Sequence, residues 1–274
     1  EKNEFILKAL SRKDLNINNF NFVKKEIELF KPDILINCSA YTNVDQAELN
    51  KEIAYQTNFL SVKNIAKICC NSDITFIHFS TDYIFDGNVS ESYCENDIAK
   101  PLNFYGQSKL EGENAIKNYC KKFIIIRTSW VFSEFGNNFF KTMLNLRKTK
   151  KIIKVVDDQV GCPTYTGDIA EAVKIILDHI SIDNFKSGVY HFSSNHETTW
   201  YEFAKYIFQK ADDLDSRKCI DLAPIKTKDF DSIATRPKYS VLRNSKIFND
   251  YGIYSKDWRS SVDKVLMLYF KKHD

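Results

Sequence analysis

Residues 73–80 read "DITFIHFS", and this short run decides the fold. It is mostly β-branched and aromatic, too short for a helix of ordinary length, and it ends at the polar Thr81-Asp82, as a buried strand does. Ahead of it, "LNKEIAYQTNFLSVKNIAKICC" (49–70) has a helical pattern, and before that "DILINCSA" (33–40) repeats the apolar run after Lys31-Pro32. Beyond it, "KFIIIRTSWVF" (122–132) follows a helix that begins near Tyr105. Apolar runs alternating with helices of ten or more residues predict β-α units in a doubly wound parallel sheet. "GDIAEAVKIILDHI" (167–180) reads as a further helix capped by Asp168, and "GVYHFSS" (188–194) as a strand that returns to the sheet. The Asn-rich residues near 16–21 read as a loop. The expected architecture is α/β, with residues 1–188 forming the sheet domain and 189–274 mainly a smaller C-terminal lobe over the sheet's carboxyl edge.

Among 274 residues, 39 Lys and Arg nearly balance 36 Asp and Glu, giving a net charge of +3. Charges of both signs are interspersed, so neither nucleic acid nor a membrane surface is called for. No apolar run reaches the roughly 18 residues of a membrane helix, and no signal peptide is seen. Cysteines 38, 69, 70, 94, 120, 162 and 219 form no C-x-x-C, no metal-ligand spacing and no even framework. They read as reduced thiols of a cytoplasmic protein.

In open parallel sheets, ligands sit outside the carboxyl ends of the strands. Three segments fall there: "NCSAYTNVD" (37–45), "STDYIFDG" (80–87) and "RTSWVF" (127–132), all rich in hydroxyls and aromatics. Next to them, "NFYGQSKLEGENA" (103–115) sets Tyr105 and Lys109 four residues apart on one helix face. A lysine ammonium there would favour the ionised phenol and make Tyr105 a better acid. The Y-x-x-x-K pattern occurs twice more, as Tyr201 with Lys205 and Tyr206 with Lys210. Both lie in "TTWYEFAKYIFQKA" (198–211), which reads as an amphipathic helix with a wet basic face.

The chain resembles the extended short-chain dehydrogenase/reductases, most closely the dTDP-4-dehydrorhamnose reductase family. The resemblance runs through "INCSAYTNVDQAE", "TDYIFDG", "PLNFYGQSKLEGE", "RTSWVF", "GNNFFKTML", "VVDDQVGCPTY" and "TRPKYSVL", covering almost the whole chain. It implies a Rossmann-like fold in which Thr81, Tyr105 and Lys109 are the catalytic triad. It further implies that Val44, Asp45, Asp82, Tyr83 and Trp130 meet the sugar, with Arg236 and Lys238 toward its diphosphate. Asp45 read alone could equally be a helix N-cap. Ser39, Ala40, Tyr41 and Thr42 fall on the cofactor-side loop, and Lys109 would also bond the nicotinamide ribose. Related dehydratases carry Thr-Asp-Glu where this chain has Thr81, Asp82 and Tyr83, so the resemblance implies ketone reduction rather than elimination.

The resemblance begins at the family's second strand, in "EKNEFILKALSRKDLNIN", and the first glycine is Gly87. A Gly-rich phosphate loop is needed for the pyrophosphate. The functional protein is therefore expected to carry a preceding strand-loop-helix unit of about 30 residues. After the second strand, Ser11 stands where NADH-preferring enzymes place an acid, followed by Arg12 and Lys13, and Asn16 replaces an aspartate a few residues on. Cations without that acid suit a 2'-phosphate, so NADPH is the preferred cofactor, with NADH as the alternative.

The resemblance implies NADPH-dependent reduction of the 4-keto group of a nucleotide-linked 6-deoxy-4-keto-sugar, in particular dTDP-4-dehydro-L-rhamnose to dTDP-L-rhamnose for cell-surface polysaccharide. Two alternatives stay open: another 4-keto-sugar nucleotide, and a non-catalytic role like that of the methionine adenosyltransferase regulatory subunit. A homodimer is also left open.

Overall fold

The computed structural model describes residues 5–182, 184–214 and 221–271. Helices and strands alternate through the first half: α1 (Phe20–Phe30), β1 (Ile34–Asn37), α2 (Val44–Leu49), α3 (Lys51–Tyr55), α4 (Ser61–Asn71), β2 (Thr75–Thr81), α5 (Phe104–Tyr119) and β3 (Phe123–Thr128). Short strands and longer helices follow: β4 (Val131–Phe132), α6 (Phe139–Arg147), β5 (Ile152–Val156), β6 (Val160–Gly161), β7 (Thr164–Tyr165), α7 (Thr166–Ser181) and β8 (Gly188–His191). The chain ends with β9 (Thr198–Thr199), α8 (Trp200–Leu214), β10 (Asp221–Ile225), α9 (Ser245–Tyr251) and α10 (Trp258–Lys271).

The main sheet has the order β1-β2-β3-β8, and every pairing in it is parallel. Its residues alternate between two cores, which is why the strands are apolar on both faces. Phe76 and Ile125 point to one side, against α1, α4 and α5 through Val23, Ile27, Val62, Ile65 and Ile116. Ile77, Ile124 and Ile126 point to the other, against α7 and α9 through Ile169, Val173, Ile176, Ile247 and Tyr251. A third cluster joins Phe132 of β4 with Phe140, Phe203, Trp258 and Val262 from α6, α8 and α10. Residues on both sides of position 188 thus build the same cores, and β10 pairs with β5.

Local departures from the sequence reading have local causes. Residues 5–10 form no strand; a strand needs a neighbour to take its backbone groups, and Ile6 and Leu7 instead remain exposed. They line an apolar groove of about 410 Å3 that also borders Ile34, Leu35, Ile36 and Asn37 of β1. The Asn-rich stretch is a loop only as far as Asn19, whose side chain accepts from Phe22 N–H and starts α1. Helix α7 begins at Thr166, so Asp168 lies inside its first turn and does not cap it. Its buried carboxylate instead takes Lys256 and Ser261 from near the C-terminus. Likewise Asn43, and not Asp45, caps α2. The six described cysteines are free, and Cys219 lies outside the described residues. Among the described residues, no helix is long and apolar enough to cross a membrane.

Candidate active site

Asn37, the last residue of β1, is in register with His78, so β2 runs three residues further before it ends at Thr81. The loop that leaves β1 is fixed by one residue. Asn58, fully buried in a single turn of π-helix (Gln56–Leu60), accepts from Tyr41 N–H at 2.8 Å and donates to Tyr41 C=O at 3.0 Å. Its amide also donates to Ser108 Oγ of α5 at 2.9 Å, so Tyr41 and α5 are held to the same point. In that loop Ser39 and Thr42 are exposed, while Ala40 and Tyr41 are half-buried.

Helix α5 is started by Asn103, whose side-chain oxygen accepts from Gly106 N–H at 2.8 Å. The same side chain donates to Thr235 C=O, and Glu48 accepts from Phe104 N–H, so three segments meet at the helix mouth. Gly106 permits the contact that matters most. A Cβ there would lie 2.1 Å from the carbonyl oxygen of Tyr83, so only glycine lets the first turn of α5 rest on the Thr81–Tyr83 turn.

That contact brings Thr81, Asp82, Tyr83 and Tyr105 together. Thr81 Oγ1 accepts from Tyr83 N–H and donates to Asp82 Oδ1 at 3.1 Å. The rings of Tyr83 and Tyr105 meet edge to face, centroids 5.9 Å apart. Burial pushes the Tyr105 phenol up to about 12; contact with the Thr81 hydroxyl opposes this and the Asp82 charge adds to it. Burial also raises Tyr83, and it lifts Asp82 to about 6 against hydrogen bonds from Ser240, Thr81 and the backbone.

Lys109 corrects one expectation. It shares the helix face with Tyr105, yet its ammonium is not what governs the phenol. Nζ donates to Phe79 C=O at 2.6 Å and meets His78 Nε2 at 3.1 Å, and burial brings the amine down to about 8 while Glu113 partly restores it. An i,i+4 spacing gives proximity of stems; the direction of a long flexible side chain is set by the acceptors it finds. The other two tyrosine-lysine pairs are surface neighbours on α8, with each lysine 5.9 Å from the ring centroid of its tyrosine.

Asp45 and Arg236 form one unit. The guanidinium reaches both carboxylate oxygens, at 3.2 and 2.7 Å, and also engages Ser232 and the Ala234 carbonyl. Desolvation opposes ionisation of Asp45, but Arg236, the Ala234 N–H and Ser232 hold its carboxyl below the usual value. Arg236 also touches Tyr83, so it is a cross-link between α2, the Tyr83 turn and the segment 232–236, where the resemblance implied a cation directed toward the diphosphate. Lys238 is exposed. Val44 is half-buried in the first turn of α2. Trp130 stacks on Trp200, centroids 3.6 Å apart and planes within 8°, and a Cβ on Gly161 would meet its ring. One face of that indole is therefore taken by the protein itself.

At the chain's beginning Ser11, Arg12 and Asn16 are exposed in a turn. Asp14, passed over in the sequence, accepts from both the N–H and the hydroxyl of Ser11, whereas Asn16 accepts from Asn18 N–H. The sequence reading also missed four buried groups behind the site. Asn37 ends β1 and His78 lies beside it within β2; Glu113 and Arg127 form a bidentate pair at 2.8 and 3.0 Å. For Asn37, His78 and Arg127 the signal was a polar letter inside an apolar run, as in "DILIN", "FIH" and "FIIIR"; Glu113, in "KLEGENA", carries none.

An amine, a phenol and a fixed loop at neighbouring strand ends suit the ribose and nicotinamide of a dinucleotide. For the pyrophosphate the described residues offer no glycine turn, since none precedes Gly87.

A family model described as RmlD substrate binding domain matches residues 1–270. A dTDP-4-dehydrorhamnose reductase of Aggregatibacter actinomycetemcomitans is 42% identical over 262 residues, covering 94% of this chain and 88% of that protein. The spore coat polysaccharide biosynthesis protein SpsK of Bacillus subtilis is 36% identical, with 94% and 87% covered. Among solved structures, the dTDP-4-dehydrorhamnose reductase of Bacillus anthracis in complex with NADP superimposes with a TM-score of 0.87 at 35% identity, over 94% of this chain and 89% of that one.

Proposed function

The chain belongs to the RmlD substrate-binding-domain family, and from that premise we propose that it reduces the 4-keto group of dTDP-4-dehydro-L-rhamnose to give dTDP-L-rhamnose, with NADPH as the reductant. The product feeds polysaccharide synthesis, as the SpsK relative's name indicates for that protein. The observation that carries this reading is a half-buried Tyr105 phenol in contact with the Thr81 hydroxyl at the end of β2.

When bound, NADPH supplies the hydride. Lys109 and the loop Ser39, Ala40, Tyr41 and Thr42 would hold its ribose and nicotinamide, and Ser11, Arg12 and Asn16 would serve its adenosine end, where the Arg12 cation suits a 2'-phosphate; NADH is the weaker alternative. Thr81 turns its hydroxyl from Asp82 to donate a hydrogen bond to the sugar's carbonyl oxygen. Tyr105 gives that oxygen its proton as the alkoxide forms; burial makes the phenol a weaker acid, yet the transfer stays favourable because an alkoxide is more basic still. Asp82, Tyr83, Val44, Asp45 and Trp130 bound the sugar, and Arg236 shapes that side by pinning Asp45 and Tyr83. Residues 1–188 are the cofactor domain and 189–274 mainly the substrate lobe. The location is the cytoplasm, and exposed Leu49, Ile53 and Tyr55 on α2 and α3 support a homodimer.

The test is NADPH consumption with dTDP-4-dehydro-L-rhamnose, the product identified by mass and chromatography, beside a panel of other 4-keto-sugar nucleotides. Turnover of the rhamnose precursor is expected; turnover of another sugar alone would replace the substrate, and no turnover of any would sink the reductase reading. Gly106→Ala should lower kcat/KM roughly 10²-fold by lifting α5 off the Tyr83 turn, since displacement of about 1 Å at a reacting group costs that much. Circular dichroism of this variant should match the parent; undiminished kcat/KM would mean that the contact does not position Tyr105.

A further inference from the structure

Thr128, the last residue of β3, is in register with Thr81, and Trp130 is the second residue past that level. Its backbone lies in the left-handed region, with φ of 45°, which a bulky residue keeps only where its surroundings enforce it. Two hydrogen bonds do so: Trp130 C=O accepts from Thr164 N–H at 3.2 Å, and Ser129 Oγ donates to Cys162 C=O at 2.8 Å. The side chain is fixed as firmly. Trp200 covers one face, with centroids 3.6 Å apart and planes 8° from parallel, so the two indoles overlap almost fully. A Cβ on Gly161 would stand 2.5, 2.7 and 2.8 Å from Cε2, Nε1 and Cζ2 of Trp130, three neighbouring atoms at nearly one distance, which is an approach over the ring face. On the Trp200 side such a Cβ would meet the second indole first. Gly161 therefore lies on the opposite face, and only the rim of the Trp130 ring is left for a ligand.

We propose that Trp200 is a positioning residue for sugar recognition: together with Gly161 it clamps Trp130 so that the rim of the indole, and not its face, meets the sugar. The clamp is one piece. Gly161 pairs with Thr198 and Val160 with Thr199 in the antiparallel β6-β9 ladder, and Trp200 is the next residue along. Thr199 Oγ1 donates to Asp157 Oδ1 at 2.7 Å and tightens the same junction. Beside Trp200, the ring centroids of Phe139 and Phe203 lie 4.5 and 6.4 Å away, so the clamp is backed by the cluster that joins α6, α8 and α10. A ring supported on one side swings about its broad χ2 torsion, whereas a ring held between an indole and a backbone does not. Fixing the rim in advance removes the cost of ordering it when a sugar binds.

The third tryptophan shows what packing by itself looks like. Trp258 is buried in that same cluster and meets Phe203 and Tyr206 edge to face. Trp130 and Trp200 both remain partly exposed, so their stack borders the space beyond the strand ends and not the interior. The inference rests on the reading that the sugar meets Trp130, and it holds for whichever 4-keto-sugar is reduced.

The experiment compares Trp200→Leu, Trp200→Phe and Gly161→Ala by steady-state kinetics with the keto-sugar nucleotide, and by circular dichroism, in which two indoles stacked this closely give an exciton couplet. Trp200→Leu and Gly161→Ala attack the clamp from opposite faces. Each should raise KM for the sugar roughly 10-fold, with kcat within about 3-fold and KM for NADPH unchanged, the pattern of lost ground-state recognition. Trp200→Phe keeps a ring to stack and should hold the sugar KM within about 3-fold of the parent. In a Trp130→Ala background Trp200→Leu should add nothing further, since it acts through Trp130. An unchanged sugar KM in Trp200→Leu, a further effect in the Trp130→Ala background, or a parent without the couplet would overturn the proposal. Should Trp200→Leu not fold, Gly161→Ala decides by the same KM ratio. Should the parent turn over no keto-sugar, the reductase reading falls, and titration with the same nucleotide followed by tryptophan fluorescence decides the clamp. Weaker binding in Trp200→Leu than in the parent would then support it; equal affinity, or no binding by the parent, would overturn it.

Discussion

Tyr105→Phe is expected to lower kcat roughly 10²- to 10⁴-fold, the usual contribution of a positioned general acid. The substitution removes one hydroxyl and keeps the ring, so the edge-to-face contact with Tyr83 persists and α5 still starts from Asn103. NADPH affinity should change little, because the amine of Lys109 and the Asn58-clamped loop are untouched. The pKa of about 12 sharpens the expectation: the phenol stays protonated throughout the assay range, so the parent's rate should show no alkaline fall assignable to Tyr105 below that value. Steady-state kinetics with the keto-sugar measure this. A variant within a few-fold of the parent would exclude Tyr105 as the proton donor.

The largest effect on stability is expected from Glu113→Gln. Glu113 is fully buried, and its two oxygens take Arg127 Nε and Nη2 at 3.0 and 2.8 Å. Arg127 is also buried and further donates to the Glu95 carbonyl and His191. Breaking one side of such a pair leaves a charge without compensation in the core, which costs about 3–5 kcal/mol. For a chain of this size that corresponds to a fall in Tm of roughly 6–20 °C. Replacing both residues by apolar ones should recover much of the loss, because the desolvation cost of both ions disappears with them. The pH dependence follows the same pair. Burial would raise the Glu113 carboxyl, but the hydrogen bonds and charge of Arg127, with Lys117, hold it below its ordinary 4.5. Its contribution is therefore fully present above about that value and is lost as pH falls through the depressed folded value. Acid denaturation should reveal a steeper low-pH limb in the parent than in Glu113→Gln, and equal limbs would show that the pair does not carry this linkage.

The sheet was legible because burial on two faces writes itself as short apolar runs, and "DILINCSA", "DITFIHFS" and "KFIIIRTSWVF" each became a parallel strand. Tyr105 and Lys109 were legible as a helix-face pair, since helical spacing is a local property. The surface character of the two pairs on α8 was legible for the same reason. What Asp168 and Arg236 do was not. Their partners, Lys256 and Ser261 for one and Asp45 for the other, lie far away along the chain, and sequence spacing carries no sign of them.

The amino-acid order by itself determined the four strands of the main sheet, the helices between them and which hydroxyls and aromatics fall at their ends, because periodicity and turn chemistry act over a few residues. The three-dimensional packing alone decided where the long side chains point. It turned Lys109 away from the phenol toward Phe79 and His78, tied Arg236 to Asp45, and buried Glu113 against Arg127. A buried polar group takes whichever partner the fold brings within about 3 Å, and that distance is a property of how the elements pack.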